Sequence, residues 1–335
     1  YPIAYLLSTV KNSTRNSLVI LVLMPFWTSF LVRTFAWIVL LGRHGALNEL
    51  LLALGIVDAP VSIIFNFTGV MIGMVHALMP LCVLTMMSVM ENIDRNLVSA
   101  ASTLGARGGQ AFWRVYFPLS VPGVAAGGML VFITALGFFI TPALLGGARE
   151  TMIVQVIIFQ IHEVLNWGFA GAIAMLLLVS VLVIFFIYDQ LLGLSTLSGE
   201  STHEQKKSTI GKIGRWLGSN IVNAFGYLCE QGGVLIDILI PPRADRVRRS
   251  GSRVTLWIIA MTVIAFLCVP AFFVIPVSFT EEGFLGWPPI GFSLKWYEQI
   301  LNSPAWATAA YRSFVVAISS ALLGMSIGVP AAFFL

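Results

Sequence analysis

The chain has 335 residues, 58% of them hydrophobic and 10% charged, with a net charge of +4. Soluble domains run at about 45–50% apolar with glycine counted and about 25% charged, so this composition excludes a soluble globular protein. The mean hydropathy of +0.92 is spread over several long stretches without Asp, Glu, Lys or Arg: Asp58 to Glu91, Arg114 to Arg149, Glu163 to Asp189, Arg253 to Glu281, and from Ser313 onward. Each can hold the ~20 apolar residues that cross a bilayer core.

In chain order, Tyr1 to Val10 reads as the end of one membrane helix, and further spans are predicted at 17–41, 64–89, 123–145, 170–192, 254–279 and 311–335. The fold class is therefore an all-α integral membrane protein with about six to seven membrane helices, because lipid cannot satisfy an open backbone. Pro25, Pro80, Pro142, Pro270, Pro276 and Pro330 fall in or near these spans and predict kinks. Tyr1 in place of Met, and a last residue, Leu335, inside an apolar run, lead us to expect a piece cut at both ends within membrane helices.

Orientation follows from the basic residues, which are retained on the cytoplasmic side. Lys11 and Arg15, then Arg95, Arg107 and Arg114, then nine residues from Lys206 to Arg253 fall on one side; Arg43, Arg149 and Lys295 fall on the other. Segments 11–16, 91–122 and 193–253 are thus expected to be cytoplasmic. The last also carries Glu200, Glu204, Glu230, Asp237 and Asp245. Within it Ile210, Ile213, Leu217, Ile221, Phe225 and Leu228 recur at helical spacing, which fits either an amphipathic helix at the headgroup surface or a plain tether. A crossing at 216–240 is rejected, since it buries Glu230 and Asp237.

Motifs for chemistry are absent. Lys212 follows Gly211 but precedes Ile213, so no phosphate-binding P-loop exists. Gly324 to Gly328 spells a nucleophile elbow but lies in a membrane span; with Gly69/Gly73 and Gly123/Gly127 it reads better as small-residue helix packing. Cys82, Cys229 and Cys268 have no metal or disulfide spacing and are expected to be packing residues. His162-Glu163 and His203-Glu204 lack the second His of a zinc protease. No catalytic residue, metal, bound cofactor or nucleic-acid partner is expected.

The segment 91–122 is patterned differently. Asp94 is a candidate N-cap, Leu97 to Leu104 a short helix, Gly105 its stop, and Phe112 to Phe117 a second short helix before Pro118. A helix showing only Ala100 and Ala101 can lie in a partner's groove or rest on lipid. The run Ser99-Ala100-Ala101, three residues, Gly105, nine residues, then Val115-Tyr116-Phe117-Pro118 resembles the E-A-A-x3-G-x9-I-x-L-P signature of ABC importer permeases. The resemblance implies a type I importer transmembrane domain whose coupling loop docks on a dimer of ATP-binding subunits. Ala100, Ala101, Gly105 and Pro118 carry the match, with Arg107 and Phe112 in the same loop. Ser99 stands where the family usually has Glu, which removes a charge and leaves open how the loop is held.

Pro25 to Thr34, Leu47 to Leu51, Leu54 to Asp58 and Phe117 to Gly123 look like the first permease subunit of spermidine/putrescine importers. Pro270 to Phe279, Gly291 to Tyr297 and Arg312-Ser313 look like the start of the second subunit. This implies a tandem fusion: a first unit at 1–192, a basic linker at 193–253 and the start of a second unit at 254–335. Val329 to Leu335 echoes Tyr1 to Leu7, as one repeat period would.

The expectation is a bacterial inner-membrane permease moving a polyamine by alternating access, with ATP and Mg on the partner subunit and substrate delivered by a periplasmic binding protein to the outer loops. Glu49, Asp58, Glu150, Glu163, Glu281, Glu282 and Glu298 make those loops acidic, which suits a cation, although charge sorting across the membrane gives the same bias. Ferric iron or another small solute is the alternative cargo. A secondary transporter or channel needs intramembrane ionisable residues, and the spans offer Arg33, His76 and Asp189. Arg33 is expected to snorkel or pair near the outer surface. Trp27, Trp37 and Trp167 offer cation–π faces to an amine or sit in an interface belt; with Arg33 and Glu163 they are the candidate substrate path.

Overall fold

A computed structural model of the chain describes residues 1–106, 108–192, 251–281 and 291–334, with single positions at 220, 224, 226, 227 and 231. Arg107, Glu282, and most of the linker with its expected surface helix lie outside the described residues. The chain forms two compact units, Tyr1–Phe272 and Phe273–Leu335.

The first unit runs α1 (Pro2–Thr9), α2 (Asn12–Trp27), α3 (Phe30–Leu41), α4 (Ala46–Ala53), α5 (Phe67–Glu91), α6 (Arg95–Thr103), α7 (Gly108–Ala111), a π-helical turn (Phe112–Tyr116), α8 (Phe117–Leu136), α9 (Ile140–Leu145), α10 (Ile153–His162) and α11 (Trp167–Leu192). It also takes in α12 (Gly251–Ser278) as far as Phe272. Among the described residues six stretches are long and apolar enough to cross a membrane: Phe30–Ala53, Phe67–Glu91, Gly109–Leu136, Trp167–Tyr188, Val254–Ser278 and Pro304–Phe333.

Three of the predicted spans need correction. The stretch 17–41 is two helices, because the Thr28 N–H reaches back only to the Pro25 carbonyl (3.1 Å) and the Ser29 hydroxyl then caps α3 by accepting from Leu31 N–H (3.3 Å). The span placed at 123–145 is α8, which ends at Leu136; Gly137 closes it, and α9 follows as a separate short helix. The last span starts earlier than 311, at Pro304, where proline suits the first turn of a helix.

The core of the first unit joins α1, α2, α5 and α12 through Leu7, Val22, Met86 and Leu267. Small residues set the helix separations. A Cβ on Gly73 would stand 2.5 Å from Leu145 Cδ1 and Thr141 Cγ2, and one on Gly123 would stand 2.8 Å from Val89 Cβ. The expected close approach at both glycine pairs is therefore made, by α9 against α5 and by α5 against α8. Asn48, fully buried, ties α4 down: its Nδ2 donates to the Gly42 and Val61 carbonyls (2.9 and 3.0 Å) and its Oδ1 accepts from Val61 N–H (2.9 Å). By contrast α11 exposes Leu176, Leu182 and Phe186, an apolar surface that a bilayer would cover.

The second unit contains the end of α12, α13 (Lys295–Leu301) and α14 (Pro304–Phe334). Its loop is pinned by an isolated Thr280–Phe292 bridge, by Ser293 N–H donating to the Phe279 carbonyl (2.7 Å), and by Trp296 Nε1 donating to the Thr280 carbonyl (2.8 Å). Gly324 and Gly328 on α14 have nothing within 4 Å of an added Cβ. The helix packing expected there is not made among the described residues.

Candidate coupling loop and transport groove

Asp94 Oδ1 accepts from Asn96 N–H (2.9 Å) and starts α6, and Gly105, at φ +91°, ends it, with Ala106 N–H donating to the Ala101 carbonyl (3.0 Å). No residue of α6 is buried: Ser99 and Ala100 are exposed, Ala101 is half-buried, and Leu104 at its end is 89% exposed. The surface available to a partner therefore mixes small and polar side chains, Ser99, Ala100, Ser102 and Thr103, with the exposed Leu97 and Leu104. After Gly105 the expected second short helix is replaced by one continuous helical run through α7, the π turn and α8. The wide turn closes with Phe117 N–H donating to the Phe112 carbonyl. It precedes Pro118, which has no N–H to offer the preceding turn, so the extra residue absorbs the proline without a break.

The loop, with Ser99 where the resembled signature has Glu, is held from α1. Arg95 donates to the Ser8 carbonyl, and the Ser8 hydroxyl pairs with the Tyr116 hydroxyl at 3.2 Å. The Tyr1 and Ser120 hydroxyls pair at 2.8 Å. Tyr5 meets Phe112 and Tyr116 edge-on at 5.5 and 5.1 Å, and Phe112 stacks on Tyr116 at 5.8 Å. Ser99 itself only donates to the Arg95 carbonyl of its own helix (3.3 Å). Nearby, Arg15 and Glu91 form an ion pair at 2.5 Å whose exposure limits it to about 0–1 kcal/mol.

The five residues of the expected substrate path are not brought together. Trp27 ends α2 at 69% exposure, Glu163 lies exposed on the α10–α11 connection, and Trp167 is exposed at the start of α11. Arg33 and Trp37 share α3 but are buried, at 3% and 7% exposure. Arg33 therefore does not snorkel. Its guanidinium lies 4.2 Å from the Phe30 ring centroid, and no Asp or Glu among the described residues pairs with it. Trp37 packs edge-on against His76 at 5.4 Å, inside the unit instead of at an interface belt.

None of those five lines the cavity along α5. It has a volume of about 840 Å³ and is walled by α1, α8, α12 and the loop before α10. Met71, Met74, Met79 and Met86 supply much of its surface, with Arg149 and Glu150 the charged residues in its wall. The Glu150 carboxylate accepts from Gly147 N–H at 2.9 Å. The signal for this wall was present in the sequence as methionines recurring on one helix, a composition that also describes any membrane core.

Residues 1–192 match the protein family described as binding-protein-dependent transport system inner membrane component. The spermidine/putrescine transport system permease protein PotB of Haemophilus influenzae is 38% identical over 188 residues, covering 56% of this chain and 66% of that protein, just under two thirds. PotB of Escherichia coli is 37% identical over 188 residues, covering 56% of this chain and 68% of that protein. A Haemophilus influenzae protein named for ferric transport, FbpB 1, is 25% identical over 230 residues, covering 65% of this chain and 36% of its own length. A solved bacterial ABC transporter that imports the acidic polysaccharide alginate aligns at 18% identity and a TM-score of 0.48, over 57% of this chain and 71% of that one.

Proposed function

The chain belongs to the family of binding-protein-dependent transport system inner membrane components, and on that premise we propose that it is the membrane-spanning permease of an ATP-driven importer for a polyamine. It is a transport component and not an enzyme. The energy comes from separate ATP-binding subunits that hold ATP and Mg, and the substrate comes from a periplasmic binding protein. The observation that carries this reading is the exposed, small-faced α6 followed at the family spacing by Gly105 and Pro118. Ala100, Ala101, Gly105 and Pro118 make the docking face, with Ser99, Arg107 and Phe112 in the same loop.

Polyamine is favoured over iron because the relatives named for spermidine and putrescine are 37–38% identical and the one named for ferric transport is 25% identical. The organisation proposed is two permease units, the second beginning at about 254, joined by a cytoplasmic linker at 193–253. Purified in nanodiscs with its partners, the transporter is expected to show ATPase stimulation by a polyamine-loaded binding protein. Stimulation by an iron-loaded one alone would overturn the cargo while leaving the family untouched.

A further inference from the structure

Arg33 and Trp37 are four residues apart on one face of α3. Beside them His76 of α5, with no exposed surface, lies edge-on to Trp37 at 5.4 Å. Phe266 of α12 closes the cluster, 5.3 Å from Trp37 and 5.6 Å from His76. All four belong to the first unit.

The hydrogen bonding of this cluster does not close. Arg33 Nε and Nη1, Trp37 Nε1 and His76 Nδ1 are buried without a partner among the described residues. His76 Nε2 is 3.0 Å from the Leu267 carbonyl. A carbonyl only accepts, so Nε2 carries the proton, and Nδ1 of the neutral ring is a lone pair that a water hydrogen satisfies. The remaining groups are all donors: two N–H edges of a fixed cation and one indole N–H. Phe30 offers Arg33 a π face at 4.2 Å but no acceptor. A guanidinium shut away from both water and carboxylates is costly unless an acceptor with negative charge joins it.

We propose that Arg33 and Trp37 hold a small monovalent anion, of halide or acetate size, between α3, α5 and α12. Burial selects a small free ion over a side chain from another protein, because the three ring and guanidinium groups are at most 7% exposed. The anion neutralises Arg33 and joins the two donors of α3, while the His76–Leu267 bond fixes the α5 wall to α12. This site is separate from the coupling loop and from the methionine-lined cavity.

The test uses the full chain in nanodiscs, with its thermal-unfolding midpoint measured as chloride or acetate replaces gluconate at constant ionic strength. Wild type is expected to gain several degrees in a saturable way with either ion. Trp37→Phe, which keeps a ring and removes the N–H, weakens the apparent affinity about 5-fold, the equivalent of one lost hydrogen bond. Arg33→Lys keeps a weaker response, and Arg33→Met has none. The same midpoint in all three salts overturns the proposal, as does an undiminished chloride response in Arg33→Met. If Arg33→Met fails to accumulate, unchanged affinity in Trp37→Phe overturns it alone. A response that appears only after partner subunits are added also overturns it, since the acceptor then belongs to a partner. The readout is anion binding and not transport, so it stands or falls apart from the polyamine reading.

Discussion

The Cys268 thiol of α12 donates to the Leu21 carbonyl of α2 across 3.6 Å. Leu21 is four residues before Pro25, so its carbonyl is the one whose helical partner the proline removes. A cysteine expected only to fill space thus supplies the missing donor and couples the helix after the linker to the proline-weakened end of α2.

Cys268→Ala is therefore expected to lower the thermal midpoint, both by leaving that carbonyl bare, at about 1 kcal/mol, and by trimming a buried side chain. Pro25→Ala restores an N–H within α2. In the double variant the loss from Cys268→Ala should shrink by roughly 0.5–1 kcal/mol, because the carbonyl no longer needs the thiol. Strict additivity in such a cycle would mean the sulfur contact has no hydrogen-bonding role.

Much of the local structure of the proposed coupling loop was legible because its signals are local: Asp94 as a cap, Gly105 as a stop, and the distance to Pro118 lie within one short stretch. The break at Thr28–Ser29 was harder to see, since in a membrane helix the lipid-facing and protein-facing sides are equally apolar and periodicity no longer marks where a helix ends. Arg33 and Trp37 lie one turn apart in sequence, but His76 and Phe266 reach them only by tertiary packing of α5 and α12. The bonds that tie Ser8 to Tyr116 and Tyr1 to Ser120 are likewise long-range. Tyr1/Tyr5 and Phe112/Tyr116, each pair four residues apart, were the readable trace of two facing aromatic edges.

At the α5–α8 contact the geometry separates two neighbouring glycines. A Cβ on Gly123 meets Val89 Cβ at 2.8 Å, an atom fixed to the backbone, whereas one on Gly128 has Tyr188 Oη as its nearest neighbour at 3.5 Å. Gly123→Ala should destabilise by about 1–3 kcal/mol by forcing the helices apart. Gly128→Ala should be neutral or slightly stabilising, since alanine is the better helix former by about 1 kcal/mol. Thermal midpoints of the two purified variants compare them directly; equal losses would remove the close-approach argument.

The α1 contact with the loop makes a third expectation. Tyr116→Phe removes the cross-link to the Ser8 hydroxyl, which keeps its bond to the Tyr5 carbonyl (2.9 Å), and preserves the stacking with Phe112, so amide exchange in 112–117 should quicken modestly. Arg95→Gln shortens the reach to the Ser8 carbonyl and removes the charge, so protection should fall in both α6 and the end of α1. Unchanged exchange in α1 for Arg95→Gln would show that α6 is held some other way.

The proposed coupling surface is tested by contrasting two substitutions that act for different reasons. Ala101 is half-buried on a helix with little relief. A long cation there would be pressed into a docking groove without a partner, which typically costs several kcal/mol. Ala101→Arg should abolish recruitment of the ATP-binding subunit and leave membrane insertion intact, because α6 is outside the six apolar spans. Gly105 has nothing within 4 Å of an added Cβ, so no clash limits substitution there. Its φ of +91° is the obstacle, and a left-handed backbone costs other residues about 1–2 kcal/mol. Gly105→Val should weaken docking by reorienting α6, and Gly105→Asn should be milder, since asparagine tolerates that region better. Ser99→Glu, placing the family residue, should be neutral or strengthen docking if the partner offers a base. Co-purification of the ATP-binding subunit, normalised to the membrane level of each variant, reads all four. Full recruitment by Ala101→Arg at normal abundance would mean that α6 rests on lipid and that the contact lies elsewhere.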